Sequence, residues 1–197
     1  MPSTSYAFGF QPINNEVGEL RLSPYVIASG YAQNIYTGDP VKIDTSGTIQ
    51  LATSDGTRSG TTDGENLIGI FQGVRYRDAQ GRIQELPYWP ASTVATEVEA
   101  RVIVPRSTMF RVQFLNPSPG TSVQTYVGDQ CDWRPNESPA GVAQTGISRT
   151  YLTAVQATRG QFIIRGFEPG IPLTDTYVTA YVSINEHDIS AAVNIVS

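Results

Sequence analysis

Cysteine, histidine and lysine are nearly absent from this 197-residue chain, and each absence closes off a class of chemistry. A single cysteine, Cys131, excludes an internal disulfide and any cysteine-rich metal site. Within Asp129-Gln130-Cys131-Asp132-Trp133 it reads as a buried thiol in a strand. A single histidine, His187, gives any serine or cysteine triad only one imidazole, and no Gly-x-Ser-x-Gly elbow or cysteine-protease signature accompanies it. The run Asn185-Glu186-His187-Asp188 invites a metal or acid–base role, yet neighbouring residues of an extended strand face opposite ways. A surface turn closing the preceding strand is the plainer reading. No Walker or dinucleotide glycine motif is present. No apolar run reaches membrane-spanning length, and the residues before Arg21, the first basic one, lack the pattern of a secretory leader. The expectation is a protein made in a cytoplasm, with no membrane partner, no cofactor and no catalytic role.

Charge is sparse as well. Charged residues make up 16% of the chain and hydrophobic ones 40%, so the surface must lean on Ser, Thr, Asn, Gln and Gly. That balance suits a protein partly covered by neighbours. A net charge of -5 and a pI near 4.8 favour neither nucleic acid nor an anionic membrane. Of 13 basic residues only Lys42 is lysine. Arginine's planar, weakly hydrated head suits interfaces, although codon bias leaves the same trace. Helical periodicity is confined to two short stretches, 91–96 behind Ser92 and 188–193 behind Asp188.

Strand patterns fill most of the chain. Val98, Ala100, Val102 and Val104 alternate with polar partners. Phe110, Val112 and Phe114 oppose Arg111 and Gln113, and Val178, Ala180, Val182 and Ile184 oppose Tyr177, Thr179, Tyr181 and Ser183. Ser46-Gly47, Asp55-Gly56, Asp63-Gly64, Gln80-Gly81, Pro119-Gly120 and Pro169-Gly170 supply the turns. The fold class expected is all-β, with one or two β-barrel or β-sandwich modules, an extended N-terminal arm and little helix. The arm spans 1–24, a first module 25–116 and a second 117–197, with the boundary at Asn116-Pro117-Ser118-Pro119-Gly120. An internal echo supports two modules: Tyr36-Thr37-Gly38-Asp39 returns as Tyr126-Val127-Gly128-Asp129, and Gly47-Thr48-Ile49-Gln50 as Gly141-Val142-Ala143-Gln144.

Candidate binding residues are aromatic or arginine. Tyr6, Phe8 and Phe10 alternate along the arm and form one sticky face, fit for an inter-subunit strap or a local edge strand. Arg75 and Arg77 share a strand face opposite Tyr76, a geometry for pairing with an acidic partner rather than for stacking on bases. Tyr88 and Trp89 sit between Pro87 and Pro90, rigid enough to anchor an interface, a sugar ring or the core. The oxygen-rich segment 54–66 lacks the ligand spacing of an EF-hand and reads as a surface loop. Asp39, Asp44, Asp129, Asp132, Glu97 and Glu99 leave carboxylate-based glycan hydrolysis open, though turn chemistry accounts for Asp39 and Asp129. Asn136-Glu137-Ser138 has the form of a glycosylation sequon.

One block carries a resemblance. Gly38-Asp39-Pro40-Val41-Lys42-Ile43 leads through Ser46-Gly47 into Thr48-Ile49-Gln50-Leu51, and Leu67-Ile68-Gly69-Ile70-Phe71 follows the polar loop. This succession resembles the small barrel module of tailed-bacteriophage head decoration, or cement, proteins. The resemblance covers roughly the first half of the chain. It implies a structural virion protein on the capsid exterior that binds the major capsid protein and its own copies, as trimers or dimers, and acts by binding alone. The second half is not accounted for by that family. Alternatives are a carbohydrate-binding module of a phage tail or adsorption apparatus, and a head–tail connector or minor tail subunit.

Overall fold

The structure, a computed structural model, describes residues 6–14, 20–52, 67–104, 108–134, 141–156 and 160–185. His187, the 54–66 loop, the sequon and the 188–193 stretch lie outside the described residues. The chain is all-β. Its first half carries β1 (Gln11–Asn14), β2 (Leu22–Tyr25), β3 (Ile35–Tyr36), β4 (Pro40–Ile43), β5 (Ile49–Leu51), β6 (Gly69–Asp78), β7 (Ile83–Leu86), β8 (Tyr88–Trp89) and β9 (Ala95–Ile103). There follow β10 (Met109–Leu115), β11 (Gln130–Arg134), β12 (Gly141–Val142), β13 (Ile147–Ser148), β14 (Tyr151–Gln156), β15 (Phe162–Phe167) and β16 (Tyr177–Ile184). Among the described residues one helical turn forms, a 3-10 turn at Val123–Tyr126 capped by the Ser122 hydroxyl. The turn expected at 91–96 is not helical: Ser92 takes a φ of 59° and the chain runs directly into β9.

The first sheet runs β2-β9-β6-β4-β5, with β7 beside the far end of β6. It curls far enough for the Ile49 amide, on β5, to donate to Val26 O at 2.8 Å just beyond β2, which brings its two edges together. Two bulges help the curl, since an extra residue bends a strand and increases its twist. One falls on β6 between Phe71 and Val74, where Gly73 has a φ of 120°, and the other on β9 opposite Arg75 and Arg77. The inward faces of β6 and β9, including Phe71, Val74, Tyr76, Ala100 and Val102, meet Ile27, Val41, Ile49 and Trp89 in one core.

The second sheet closes fully. Its order is β10-β14-β11-β15-β16, and β16 returns to β10 over six residue pairs from Phe110↔Val182 to Leu115↔Tyr177. Only β10 and β14 are parallel; the other neighbours are antiparallel. The predicted alternation holds: Phe110, Val112, Phe114, Val178, Ala180, Val182 and Ile184 all point into this barrel, with Cys131 and Trp133. Burial pushes the Cys131 thiol far up, so it stays protonated and inert.

Two boundaries differ from those read in the sequence. β10 precedes the Pro117–Gly120 turn yet belongs to the second barrel, so the chain changes barrels between Val104 and Thr108. Nor do the described residues of 1–24 stand apart as an arm, because β1 pairs with β10 of the second barrel and β2 with β9 of the first. The curled first sheet, open in its strand pairing and called the first barrel for its rolled shape, shares a seam with the closed second barrel. The β12–β13 hairpin leaves the second barrel and meets residue 37, with Thr37 N donating to Gly146 O and Ser148 N to Thr37 O, both at 2.9 Å. Gly141 lies so close to Tyr36 that a Cβ there would sit 2.3 Å from the ring. Phe10 caps the seam, its ring in the second core beside Ile70 and Ile103 of the first barrel.

Candidate functional site

The Tyr-x-Gly-Asp echo is a structural repeat. In each copy the aspartate amide donates to the tyrosine carbonyl, at 2.9 Å for Asp39 to Tyr36 and 3.0 Å for Asp129 to Tyr126. Gly38 and Gly128 occupy the third place with φ of 93° and 96°, values that favour glycine for want of a Cβ. Each turn then clips onto a distant strand in the same way. Gly38 N donates to Phe71 O and Phe71 N to Asp39 O, while Gly128 N donates to Ile164 O and Ile164 N to Asp129 O. The second half of the echo does not persist: Gly47 sits in the β4–β5 turn, whereas Gly141 is within β12.

The outer face of the first barrel is a lattice of arginine and glutamate. Arg75 on β6 stands opposite Glu99 of β9 on one side and Glu85 of β7 on the other. Arg101 reaches across β6 to Glu85 at 2.5 Å. Arg77 grips Glu97 with two hydrogen bonds of 3.1 Å and also donates to Gly81 O at 2.8 Å. The pairing, hydrogen bonds first, lowers the Glu97 carboxyl and raises the Arg77 guanidinium. Glu97 sits on the β9 bulge at a φ of 52°, an unfavourable value for a residue with a Cβ, and presents its carboxylate to Arg77 from there. The β6–β7 turn is tied by Asp78, which accepts from Gln84 Nε2, Arg82 N, Arg82 Nε and Gln80 N; the Gln84 bond foremost, with those from Arg82 and its charge, holds the carboxyl down to about 2. Arg75, Arg77, Ile83, Glu97 and Glu99 border a shallow cavity of about 150 Å³, with Ile83 exposed at its rim.

The seven residues singled out in the sequence divide three ways. Arg75 and Arg77 belong to this outer lattice, and Tyr6 is 61% exposed, its ring beneath the Arg149 guanidinium at 4.5 Å and its hydroxyl accepting from the same group. Phe8 and Tyr88 are half-buried: Phe8 lies under Arg111 at 5.4 Å, and Tyr88 stacks on Tyr36 at 5.6 Å. Phe10 and Trp89 are wholly buried, so of the roles the sequence leaves open Trp89 takes the core and Phe10 packs inside its own chain instead of serving as an interface residue. Gly9 takes a φ of 71° and breaks the alternation of the three aromatics, turning Phe10 inward to stack on Phe162 at 4.4 Å. Trp89 faces the first core because β8 pairs with β3, and it meets Tyr76 edge-on at 5.4 Å. A sugar platform on Trp89 is therefore not available.

Turn chemistry accounts for Asp39 in the sequence, but not for its surroundings in the fold. It is 3% exposed, and its carboxylate accepts from Tyr36 N at 2.7 Å and from the Ser148 hydroxyl at 2.5 Å. Burial pushes its carboxyl up to about 7 against the pull of those two bonds. The turn motif shows the bond to Tyr36; nothing in the sequence marks Ser148, 109 positions away, as its second partner. Comparisons with protein-family models, curated proteins and solved structures find no match to this chain.

Proposed function

We propose that this chain is a decoration protein of a tailed-phage head, which lies on the outer capsid surface and braces neighbouring capsomers by contact alone. The observation that supports the reading best is the fold of the resembling block. Gly38 and Asp39 form a turn, Pro40–Ile43 and Ile49–Leu51 a hairpin, and Ile70 and Gly69 pair with Pro40 and Val41 inside one curled antiparallel sheet. The resemblance implies that succession of turn, hairpin and returning strand. The arginine–glutamate lattice supports the reading further. Alternating charges on a rigid sheet favour a correctly placed partner and repel a misplaced one, which suits a contact repeated by symmetry. The partners in this reading are the major capsid protein and further copies of the chain.

The test is co-sedimentation with expanded, undecorated heads, counting copies per particle. Saturable binding in hundreds of copies, with heads then surviving heating better, is the expected result (about an order of magnitude above connector numbers). Binding of a dozen copies or none overturns the proposal. Arg75→Glu reverses the one lattice arginine flanked by glutamates on both sides, and should reduce binding without altering the fold.

A further inference from the structure

Asp39 has more hydrogen-bonding capacity around it than its turn needs. Beyond Ser148 lies a second hydroxyl: Ser148 Oγ is 3.0 Å from Thr150 Oγ1, accepts from Thr150 N at 3.0 Å, and Thr150 Oγ1 lies 3.4 Å from Gly38 O. The chain of groups thus leaves the first barrel at Asp39, crosses the seam to Ser148 and Thr150, and returns at Gly38. We propose that Asp39, Ser148 and Thr150 form a proton-operated latch between the two barrels, tight while the carboxyl holds a proton and looser once it ionises.

The geometry serves both states, the protonated one with one hydrogen bond more. With the carboxyl ionised, Ser148 donates to Oδ1 and Tyr36 N to Oδ2. With the proton on Oδ1, the acid donates to Ser148 Oγ, the Ser148 hydrogen swings to Thr150 Oγ1, and the Thr150 hydroxyl donates to Gly38 O. Tyr36 N keeps Oδ2 throughout. Beyond that bond, what separates the states is charge, which is costly to hold in a buried site. The elements packed around the turn offer little to offset it. The turn itself contributes Tyr36, with the Tyr88 ring stacked behind; the second barrel contributes two neutral hydroxyls; β6 contributes Phe71, and the N-terminal segment Gly9 and Phe10. The one arginine on these segments, Arg149, sends its guanidinium over Tyr6.

The sign follows from linkage. A carboxyl raised from 3.8 to about 7 contributes stability that is fully present below 3.8 and is lost as pH rises through about 7. Opening the seam exposes the carboxyl, so one proton is released on opening across that window. Protection factors of the Thr37, Gly146 and Ser148 amides should then fall by about tenfold per pH unit approaching neutrality and level off above it.

Two measurements on the intact chain test this. The first is the Asp39 ¹³Cγ shift followed by NMR against pH. A midpoint near neutrality is expected; one below about 5, in the ordinary carboxylate range, overturns the latch. The second is amide exchange at the seam in three proteins. Asp39→Asn should flatten the pH slope, and Ser148→Ala should move the wild-type midpoint upward, since it removes a donor to the ionised form. An Asn variant with the slope of the wild type overturns the proposal. Should Asp39→Asn fail to fold, the ¹³C titration of the wild type decides. Neither measurement depends on what the protein binds.

Discussion

The two Tyr-x-Gly-Asp turns share a backbone and differ in what covers them. Both close the same carbonyl-to-amide bond, hold a glycine near a φ of 95° and clip the chain to a strand in the core. Asp129 is half-buried at the rim of the second barrel, whereas Asp39 is sealed under the β12–β13 hairpin and Gly9. Gly38 would bring a Cβ within 3.0 Å of Phe10 N, while a Cβ on Gly128 would meet nothing within 4 Å. One local sequence therefore makes a free-standing corner in one barrel and a joint between barrels in the other. The difference comes from tertiary placement, not from the motif.

The largest effect that separates the turns is loss of the aspartate side chain. Asp39→Ala strands the buried Tyr36 amide and breaks the seam bond to Ser148, and should cost about 3 kcal/mol. Asp129→Ala should cost below about 1 kcal/mol, since its side chain is only half-buried. Urea midpoints of the two variants measure this, and equal losses would break the comparison. Next come the glycines. Alanine in the left-handed region costs about 1–2 kcal/mol wherever it is placed, which is the whole effect expected of Gly128→Ala. Gly38→Ala adds the close approach to Phe10, so its melting temperature should fall further, by roughly 2–4 °C for each extra kcal/mol.

Much of each barrel was legible because its signals are local. Phe110, Val112 and Phe114 alternate in the sequence and in the core, and the Tyr-x-Gly-Asp echo marked two equivalent turns. What was not legible depends on residues far apart. β10 joins the second barrel through β16 and a parallel contact with β14, so the proline-rich turn after it is not the boundary. The sequence leaves Phe10 and Trp89 open between interface and core because aromatic alternation and flanking prolines say nothing of direction; a φ at Gly9 and the β3–β8 pairing set it. Arg75 and Arg77 share a strand face in the sequence pattern and in the fold, yet the glutamates beside them come from other strands. The Asp39–Ser148 contact has no local trace at all.

The pH dependence of stability carries two opposite limbs, and the comparison assigns one of them to Asp39. Asp44, Asp78 and Glu97 are lowered, chiefly by bonds from Ser46, Gln84 and Arg77, so they stabilise above the ordinary carboxylate range. Their contribution is lost as pH falls, that of Asp78 through about 2. Asp39 acts in the other direction, losing its contribution as pH rises from 3.8 to about 7. The urea midpoint should therefore peak near about pH 4–5 and decline toward neutrality. Asp129→Asn should leave that decline in place and Asp39→Asn should remove it, with the acid limb unchanged in both.

The smallest effects expected are those of the surface ion pairs, and they extend the same contrast between a free corner and a joint. Arg111 on β10 pairs with Glu168 at 2.8 Å and also lies over Phe8, so it ties the N-terminal segment to the second barrel. Arg111→Ala should cost about 1 kcal/mol, part of it from the uncovered ring. Glu97 is more open to solvent than Glu168, the two arginines being about equally exposed, and the lattice around Arg77 already offers Arg75 and Glu99 as substitute neighbours. Arg77→Ala should leave the urea midpoint within the scatter of the measurement, because exposed pairs are screened and their side chains resist ordering. If it is instead the more damaging of the two, Glu97 is held at its φ of 52° by Arg77 rather than by the bulge, and the outer face would be a load-carrying part of the first barrel.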